Sequence, residues 1–256
     1  MPSGVTFDTS TGTFSYDGTN LTASSSTVQV TIASSTGRSE TATIDVTISI
    51  IEGAGISNYG LDFYCPYENN LKDTINGLDG TTNYLSKFTI QQDNVIGKYM
   101  NANLTYTFEN AALRYNGTEN MFQYGTGDFT ISYWLKAPNW SSNDHNNPLT
   151  KKSGSNNGFM IARITANAQK MALVGTDKSV YTSTNVSSSW VHYCLVRKNG
   201  VAYWYLNGVL NSSDDWTQNI TNSNKLYMGY FDGWGSVTAV YDMKALRIYN
   251  RAVTNG

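Results

Sequence analysis

Charged residues and cysteines are both scarce in this sequence of 256 residues. Asp, Glu, Lys and Arg make up 14% of the chain, and the formal net charge is −2. Nucleic acids and anionic membrane surfaces are bound by clustered Lys and Arg, so this composition argues against both partners. No apolar run approaches the ~20 residues that a membrane span needs, which argues against membrane insertion. The two cysteines, Cys65 and Cys194, allow one disulfide and exclude a disulfide framework.

Histidine is also rare, with His145 and His192 alone in the chain. Two distant histidines without a nearby pair of thiols give no zinc-binding spacing. His145 lies in a polar stretch and is expected to be solvated, whereas His192 lies within a strand pattern and is expected to pack. Neither cysteine has a basic neighbour in sequence that would lower its pKa, so a catalytic thiol is not expected. We predict that both cysteines are free thiols.

Residues 1–51 contain stretches in which apolar and polar side chains alternate. Val28, Val30 and Ile32 are separated by polar residues, and the same period of two continues from Ala42 to Ile50. This period predicts strands with one face buried and one in water. The loop at 34–38 and the Asp17-Gly18 dipeptide are predicted turns. Because about fifty residues supply only a thin core, we predict that this segment does not fold independently.

A different pattern follows residues 52–60, which read as a linker of small residues without periodicity. From 61 to 256 the chain has many short predicted strands broken by Gly, Asn and Asp. Residues 129–136 alternate, and Asn199-Gly200 and Asn207-Gly208 each separate two apolar runs. Asn-Gly in that setting is a strong hairpin signal. The pattern predicts an all-β sandwich or jelly roll.

Four stretches of the second segment carry a family resemblance. They are YCPYENNLKDTING at 64–77, GDFTISYWLKAP at 127–138, WVHYCLVRKNGVAYWYLNGV at 190–209 and ALRIYNRAV at 245–253. In this order they resemble the concanavalin A-like, laminin-G-like jelly-roll family. The resemblance covers residues 61–256 and implies a two-sheet jelly-roll sandwich. It does not determine the function, because the fold hosts lectins, adhesion modules, glycosidases and structural spacers.

The N-terminal segment carries a second resemblance. PSGVTFDTSTGTFSYDG at 2–18, followed by the two alternating stretches, is similar to the second half of Ig-like and cadherin-like modules of bacterial and phage surface proteins. The shared residues are Pro2, Gly4, Phe7, Asp8, Thr11 and Gly12. The earlier strands of such a module have no counterpart. We therefore expect a partial Ig-like segment at 1–51, a linker at 52–60 and a jelly roll at 61–256.

Catalytic carboxylates are not apparent in the sequence. Retaining glycosidases of the resembled family carry acid and nucleophile on one strand as E-x-D-x-x-E or E-x-D-x-E, near the ~5.5 Å separation that their mechanism needs. No such run is present here, and Glu68, Glu109 and Glu119 are isolated. Asp214 and Asp215 are adjacent, so in a strand they would face opposite ways. We expect a protein that is not an enzyme.

Calcium is the one cofactor that the resemblance suggests. Many relatives hold a structural Ca²⁺ near the first strand with oxygen ligands, and Asp73 and Asp79 stand in the corresponding loop. Asn116 and Lys244 stand where relatives often have Asp. The alternative is that Asp73 and Asp79 stabilise turns through hydrogen bonds to the backbone.

Aromatic residues are abundant, at 13% with six Trp and eighteen Tyr. Sugars present apolar C–H faces that stack on such rings, while Asn and Asp bind the hydroxyl groups. Trp204 and Trp190 are expected to pack, whereas Trp134 lies on the outward side of its strand. The candidate carbohydrate-binding residues lie in loop-like segments, which often carry binding residues; they are Trp140, Trp216, Tyr230, Asp232 and Trp234. The alternative is that these rings fold back and cap the sandwich.

The composition, the fold and the aromatic residues lead to one functional prediction. We expect a non-enzymatic module that binds cell-surface glycan, of the adhesion or phage-fibre type, located on an extracellular surface or a virion. A structural virion or surface-layer module that contacts only other surface proteins is the alternative, and a glycoside hydrolase is the third reading. Nothing in the sequence indicates a coiled coil, so oligomerisation stays open.

Overall fold

The computed structural model describes two groups of residues. In the N-terminal part these are 5–8, 13–16, 24–33 and 41–50. In the remainder they are 59–253 without 106–108, 110, 138–144, 153, 155–156, 164–169 and 232–236. The chain separates into two compact units, 1–58 together with 255–256, and 59–254. No helix in the described part of the chain is long and apolar enough to cross a bilayer.

The first unit contains two antiparallel hairpins. Strand β1 (Val5–Asp8) pairs with β2 (Thr13–Tyr16), and β3 (Ser24–Ala33) pairs with β4 (Thr41–Ile50). The register places Val28 opposite Val46, so the alternating apolar positions of β3 and β4 meet across the hairpin. The predicted strands are confirmed, whereas the predicted turns at 17–18 and 34–38 lie outside the described residues. The Ig-like identity of this unit stays a prediction.

Among its described residues, the second unit consists of strands and one short 3-10 helix at Leu85–Lys87. In chain order the described strands are β5 (Leu61–Cys65), β6 (Gly80–Thr81), β7 (Phe88–Asp93), β8 (Gly97–Leu104), β9 (Leu113–Tyr115), β10 (Phe129–Lys136), β11 (His145–Lys151), β12 (Phe159–Arg163), β13 (Lys170–Val174), β14 (Ser179–Asn185), β15 (Val191–Lys198), β16 (Val201–Leu206), β17 (Val209–Asp215), β18 (Leu226–Met228) and β19 (Val237–Tyr249).

These strands form two antiparallel sheets. The first sheet has the order β7-β8-β19-β10-β15-β16-β17, and β5 replaces β8 beside the C-terminal half of β19. The second sheet has the order β14-β13-β12-β11-β18-β9-β6. The start of β19 also runs parallel to β11, so this one strand belongs to both sheets. The predicted two-sheet, all-β sandwich is confirmed.

The Asn-Gly turns hold the β15–β16–β17 meander. Asn199 and Gly200 have φ of 51° and 78°, and Asn207 and Gly208 have φ of 49° and 80°. Asn and Gly are the residues that adopt this left-handed region most readily. Both predicted hairpins are therefore confirmed.

Alternation along the strands builds the core. In β10, Phe129, Ile131, Tyr133 and Leu135 are at most 1% exposed, whereas Trp134 is only half-buried. Trp204 is fully buried, as predicted, and its Nε1 donates to the carbonyl oxygen of Val180, 3.0 Å away in the second sheet. Trp204 thus joins the two layers.

Both cysteines are free thiols, as predicted. Cys65 is fully buried, and its Sγ donates to the Tyr115 hydroxyl at 3.3 Å. Burial raises the pKa of Cys65, and it raises the pKa of Cys194 to about 12. Neither thiol is therefore activated as a nucleophile.

Candidate functional site

Of the predicted binding residues, the structure describes Trp216 and Tyr230. Trp216 is fully buried, so the expectation of an exposed ring there is wrong. Tyr230 is half-buried, with its ring centroid 5.2 Å from that of Tyr227. Trp140, Asp232 and Trp234 lie outside the described residues, so their predicted role in binding stays a prediction.

Trp216 is held inside by a buried arginine. The Arg197 Cζ lies 4.7 Å from the Phe129 ring centroid and 5.3 Å from that of Trp216. Its guanidinium nitrogens donate to the carbonyl oxygens of Gly125, Gly127 and Gln218. These bonds close the loop after β17 over the end of the core, which is why the ring caps the sandwich.

The predicted calcium ligands are occupied by other contacts. Asp73 is fully buried, and its carboxylate accepts hydrogen bonds from the backbone N–H groups of Tyr64, Ile75 and Asn76, at 2.8, 3.1 and 2.8 Å. A carboxylate surrounded by N–H donors does not fit a cation, and it stabilises the turn as in the alternative above. Asp79 is exposed and lies 3.7 Å from Lys72 Nζ. Among the described residues, no three His, Cys, Asp or Glu side chains could jointly hold a metal ion.

Half-buried aromatic side chains lie instead on the outer face of the first sheet. The alternation that buries Ile131, Tyr133 and Leu135 turns Trp134 and Lys136 to the opposite side. We define the aromatic face as Tyr99, Trp134, Trp190 and His192, together with the polar residues Asp93, Asn101, Lys136 and Asp242. They come from β7, β8, β19, β10 and β15 and the residue before β15, which the sheet order places side by side.

The rings of the aromatic face form two contacts. Trp134 lies opposite His192 in the β10–β15 register, with ring centroids 5.2 Å apart. Trp190 meets Tyr99 edge to face at 5.2 Å, and the Lys136 ammonium lies 5.8 Å from the Trp190 ring centroid. Such contacts fix ring orientation and leave part of each ring in solvent.

The polar groups of this face form a connected set. Asn101 Nδ2 donates to Asp242 Oδ1 at 2.7 Å, and Lys136 Nζ lies 3.7 Å from Asp242 Oδ2. Trp190 Nε1 donates to Asp93 Oδ2 at 3.2 Å. The register places Lys136, Asp242 and Asn101 directly across three neighbouring strands. This row is therefore held by the backbone pairing itself.

The two carboxylates of the face have opposite pKa shifts. Burial raises the pKa of Asp242, and the Asn101 amide and Lys136 offset part of that effect. The backbone N–H of Val95, followed by the Trp190 indole, lowers the pKa of Asp93. Asp93 is thus an ionised acceptor at the rim of the face. Asp242, on β19, is only 5% exposed.

His192 is part of the same face and is held in its neutral form. Its Nε2 lies 2.8 Å from Ser132 Oγ. Burial, and then the nearby Arg247 guanidinium, lower the pKa of the imidazole. The ring therefore offers an uncharged, partly exposed surface beside Trp134. The prediction that His192 packs is confirmed.

A shallow groove lies elsewhere on this unit, with a cavity volume of about 490 Å³. We call it the Asp62 groove; its lining residues are Leu61, Asp62, Ile75, Asn76, Asn120, Met121, Phe122, Gln123, Tyr124 and Asn250. Asp62 Oδ2 accepts a 2.6 Å hydrogen bond from the Tyr124 hydroxyl, and its Oδ1 accepts one of 3.0 Å from Asn250 Nδ2. Asp62 is the one carboxylate among these lining residues. The groove is suited to a neutral polar ligand.

Sequence patterns identified part of the aromatic face. The period of two in β10 predicted that Trp134 lies on the outward side of its strand. No sequence pattern predicted that Tyr99, Asp93 and Asn101 belong to this face, because their partners on β19 and before β15 are distant in sequence. Asn101 and Asp242, for example, are 141 positions apart. The packing predicted for Trp190 is correct, although it packs on the outside of the sheet.

Several solved structures resemble this fold. A structure of botulinum neurotoxin type C, whose cell entry is described as dependent on interaction with two ganglioside molecules, has a TM-score of 0.54 and 14% identity, covering 77% of this chain and 49% of that one. A botulinum neurotoxin DC binding domain in complex with rat synaptotagmin II has a TM-score of 0.53, 13% identity and the same coverage. Trypanosoma rangeli sialidase has a TM-score of 0.55 and 12% identity, covering 77% of this chain and 31% of the enzyme.

These likenesses show the fold alone, and this chain spans half or less of each protein's length. No curated protein matches the sequence significantly. The concanavalin A-like lectin/glucanases superfamily matches residues 109–256, more than half of the chain. This match covers β10 to β19, which carry Trp134, Lys136, His192 and Asp242. The chain belongs to the concanavalin A-like lectin/glucanases superfamily, in its laminin-G-like branch.

Proposed function

We propose that residues 59–254 form a non-enzymatic carbohydrate-binding module and that the aromatic face is its binding surface. The observation that carries this proposal is the placement of half-buried rings beside hydrogen-bonding groups. Trp134, Trp190 and Tyr99 offer apolar surface for the C–H faces of a sugar. Asp93, Asn101 and Lys136 offer acceptors and donors for its hydroxyl groups.

The comparisons support this class of ligand. The superfamily contains lectins. One of the similar structures is a neurotoxin described with gangliosides, and another is a sialidase in complex with difluorosialic acid. We place the module on an extracellular surface or a virion, where it serves adhesion or receptor recognition. The N-terminal hairpins fit a partial Ig-like spacer that presents it.

Catalysis is not proposed, because the carboxylates are engaged in fixed contacts. Glycoside hydrolysis needs one protonated and one ionised carboxyl group flanking the bond, about 5–9.5 Å apart. Asp242 is 5% exposed and is bound by Asn101 and Lys136, so it has little access to a glycosidic oxygen. The Asp62 groove offers one carboxylate among its described lining residues.

A glycan array that includes ganglioside oligosaccharides tests the proposal. The wild-type chain should give reproducible hits, and Trp134→Ala and Trp190→Ala should each lose them while their melting temperatures stay close to wild type. Tyr59→Ala is a matched control, because Tyr59 is 77% exposed and lies outside the aromatic face. Binding that persists in both Trp variants would move the site elsewhere. No hit for the wild type would favour the structural module, and release of reducing sugar would establish a hydrolase.

A further inference from the structure

Lys151, the last residue of β11, holds its ammonium group inside the second sheet. The residue is fully buried. Five oxygen atoms surround Nζ: the carbonyl oxygens of Thr118 at 3.1 Å, Glu119 at 3.3 Å, Asn222 at 3.4 Å and Asn224 at 2.6 Å, and the Asn222 Oδ1 at 3.5 Å. The Phe122 ring centroid lies 5.9 Å away. We call these five atoms the oxygen cage.

The oxygen cage has the donor set of a cation site. Backbone and amide oxygens are ligands that hard cations prefer. No carboxylate in the described part of the chain lies within salt-bridge distance of Lys151. Four of the five distances, 3.1–3.5 Å, exceed the about 2.3–2.6 Å of calcium–oxygen bonds. An uncharged cage of this size favours a large monovalent ion over Ca²⁺.

The Lys151 side chain carries the charge at neutral pH. Burial lowers the pKa of Lys151 to about 8, and the nearby Glu119 carboxylate offsets part of that effect. Its three N–H donors have five oxygen atoms within reach. The ammonium is therefore surrounded by oxygen atoms, as a bound metal cation is.

The oxygen cage joins two segments of the chain, 118–119 and 222–224. Asn222 Nδ2 returns a 2.9 Å hydrogen bond to the Lys151 carbonyl oxygen, and Asn222 also exchanges hydrogen bonds with the Gln123 side chain. Gly158 is required here: its φ is +136°, and a Cβ would overlap the Lys151 carbonyl oxygen. Residues 120–124, which form one wall of the Asp62 groove, follow directly from the cage.

We propose that Lys151 is an intrinsic cation, whose ammonium occupies a monovalent-cation site between residues 118–119 and 222–224, and that a chain lacking this ammonium binds K⁺ or a small alkylammonium ion in its place. The site is separate from the aromatic face and does not depend on carbohydrate binding. The Lys151 ammonium links segments 118–119 and 222–224 through their oxygen atoms. No carboxylate of the described residues forms a salt bridge with it.

Thermal melts of Lys151→Ala in different salts at equal ionic strength test the proposal. In choline chloride the melting temperature should fall on the order of 10 °C below wild type, because the cage oxygens lose their partner. Methylammonium or potassium chloride should restore a substantial part of that loss. Lys151→Met fills the same space with an apolar chain, so it should be destabilised without any restoration.

Two controls separate this effect from general salt stabilisation. Wild type and Lys178→Ala, which removes an exposed ion pair with Asp214, should melt alike in choline, methylammonium and potassium. An equal rise with potassium in wild type and in Lys151→Ala would overturn the proposal. So would a Lys151→Ala variant that shows no preference among the cations.

A measurement on the wild-type chain covers the case in which Lys151→Ala does not fold. Lysine acylation at pH 8, mapped by mass spectrometry, should modify Lys178 at least 100-fold faster than Lys151. The lowered pKa leaves a share of Lys151 uncharged at that pH, but its fully buried Nζ is closed to the reagent. Equal labelling of the two lysines in the native chain would overturn the proposal.

Discussion

The Trp216 ring lies against the Arg197 guanidinium, with Cζ 5.3 Å from the ring centroid, and the Phe129 ring lies 4.7 Å from the same Cζ. A cation is thus enclosed between two rings at the end of the core, and burial lowers the pKa of Arg197 to about 10. The Trp216 backbone N–H also donates to the Gly200 carbonyl oxygen at 2.6 Å. This arrangement stabilises the end of the β15–β16–β17 meander.

Trp216→Ala is therefore expected to affect stability and not ligand binding. Removing a fully buried Trp costs about 3–5 kcal/mol, here with the added loss of the ring over the guanidinium. Urea denaturation should show this loss, and Trp216→Phe should recover part of it. A near-wild-type denaturation midpoint together with lost glycan binding would contradict the buried placement.

Trp134→Ala and Trp190→Ala should instead weaken ligand binding and leave stability nearly unchanged. Loss of a stacking ring from a binding surface costs on the order of 1–3 kcal/mol, which is about a tenfold to hundredfold loss of affinity. Titration with the best array ligand measures it. Trp190→Phe keeps a ring but removes the indole donor to Asp93, so it should lose less affinity than Trp190→Ala.

Acidification should destabilise the domain through His192. Burial and Arg247 lower the pKa of His192 in the folded state, whereas in the unfolded chain it is about 6.5. As the pH falls below about 6.5 the unfolded chain takes up a proton first, so the free energy of unfolding decreases down to the folded-state pKa. His192→Gln should remove this part of the pH dependence. Parallel profiles for wild type and variant between pH 7 and 5 would contradict it.

Both thiols should be slow to react in the native state. With its pKa raised to about 12, Cys194 has few thiolate ions at pH 8, so alkylation should be on the order of 10³-fold slower than for an unhindered cysteine. Cys65 is fully buried and should react no faster. In urea without reductant, mass spectrometry should find two labels. A species with none would indicate a disulfide.

The N-terminal unit should not fold by itself. Among the described residues it consists of two separate two-stranded sheets, and isolated hairpins are marginally stable in water. Residues 1–51 alone should give a poorly dispersed amide NMR spectrum, whereas residues 59–256 should give a well-dispersed one. Good dispersion from the short fragment would show that it is an independent domain.

Local patterns predicted the strands, and long-range packing determined the sites. The alternation in β10 gave the orientations of Tyr133 and Trp134 correctly, because neighbouring side chains of a strand must point to opposite faces. The polar residues around Trp216 suggested an exposed loop. Its burial depends on Arg197 of β15, two strands away in the sheet order. No local pattern reveals the hydrogen bonds of Arg197 to Gly125 and Gln218.

The cation site was missed for a similar reason. The sequence predicted a cation site at two acidic residues, Asp73 and Asp79, because carboxylates are the calcium ligands that a sequence reveals. The cage around Lys151 is made largely of backbone oxygens, which every residue type has. Such a site becomes visible only when strand pairing has brought 118–119 and 222–224 together.

The shared strand β19 has a consequence for how the chain folds during synthesis. It pairs with β5, β8, β10 and β11, all of which leave the ribosome more than about eighty residues before it. Until β19 emerges, these strands have unsatisfied edges that invite pairing with other chains. Such late, distant pairing gives the domain a high contact order, and we expect slow, largely post-translational folding. The arrival of residues 237–249 is then the step that commits both sheets to the native structure.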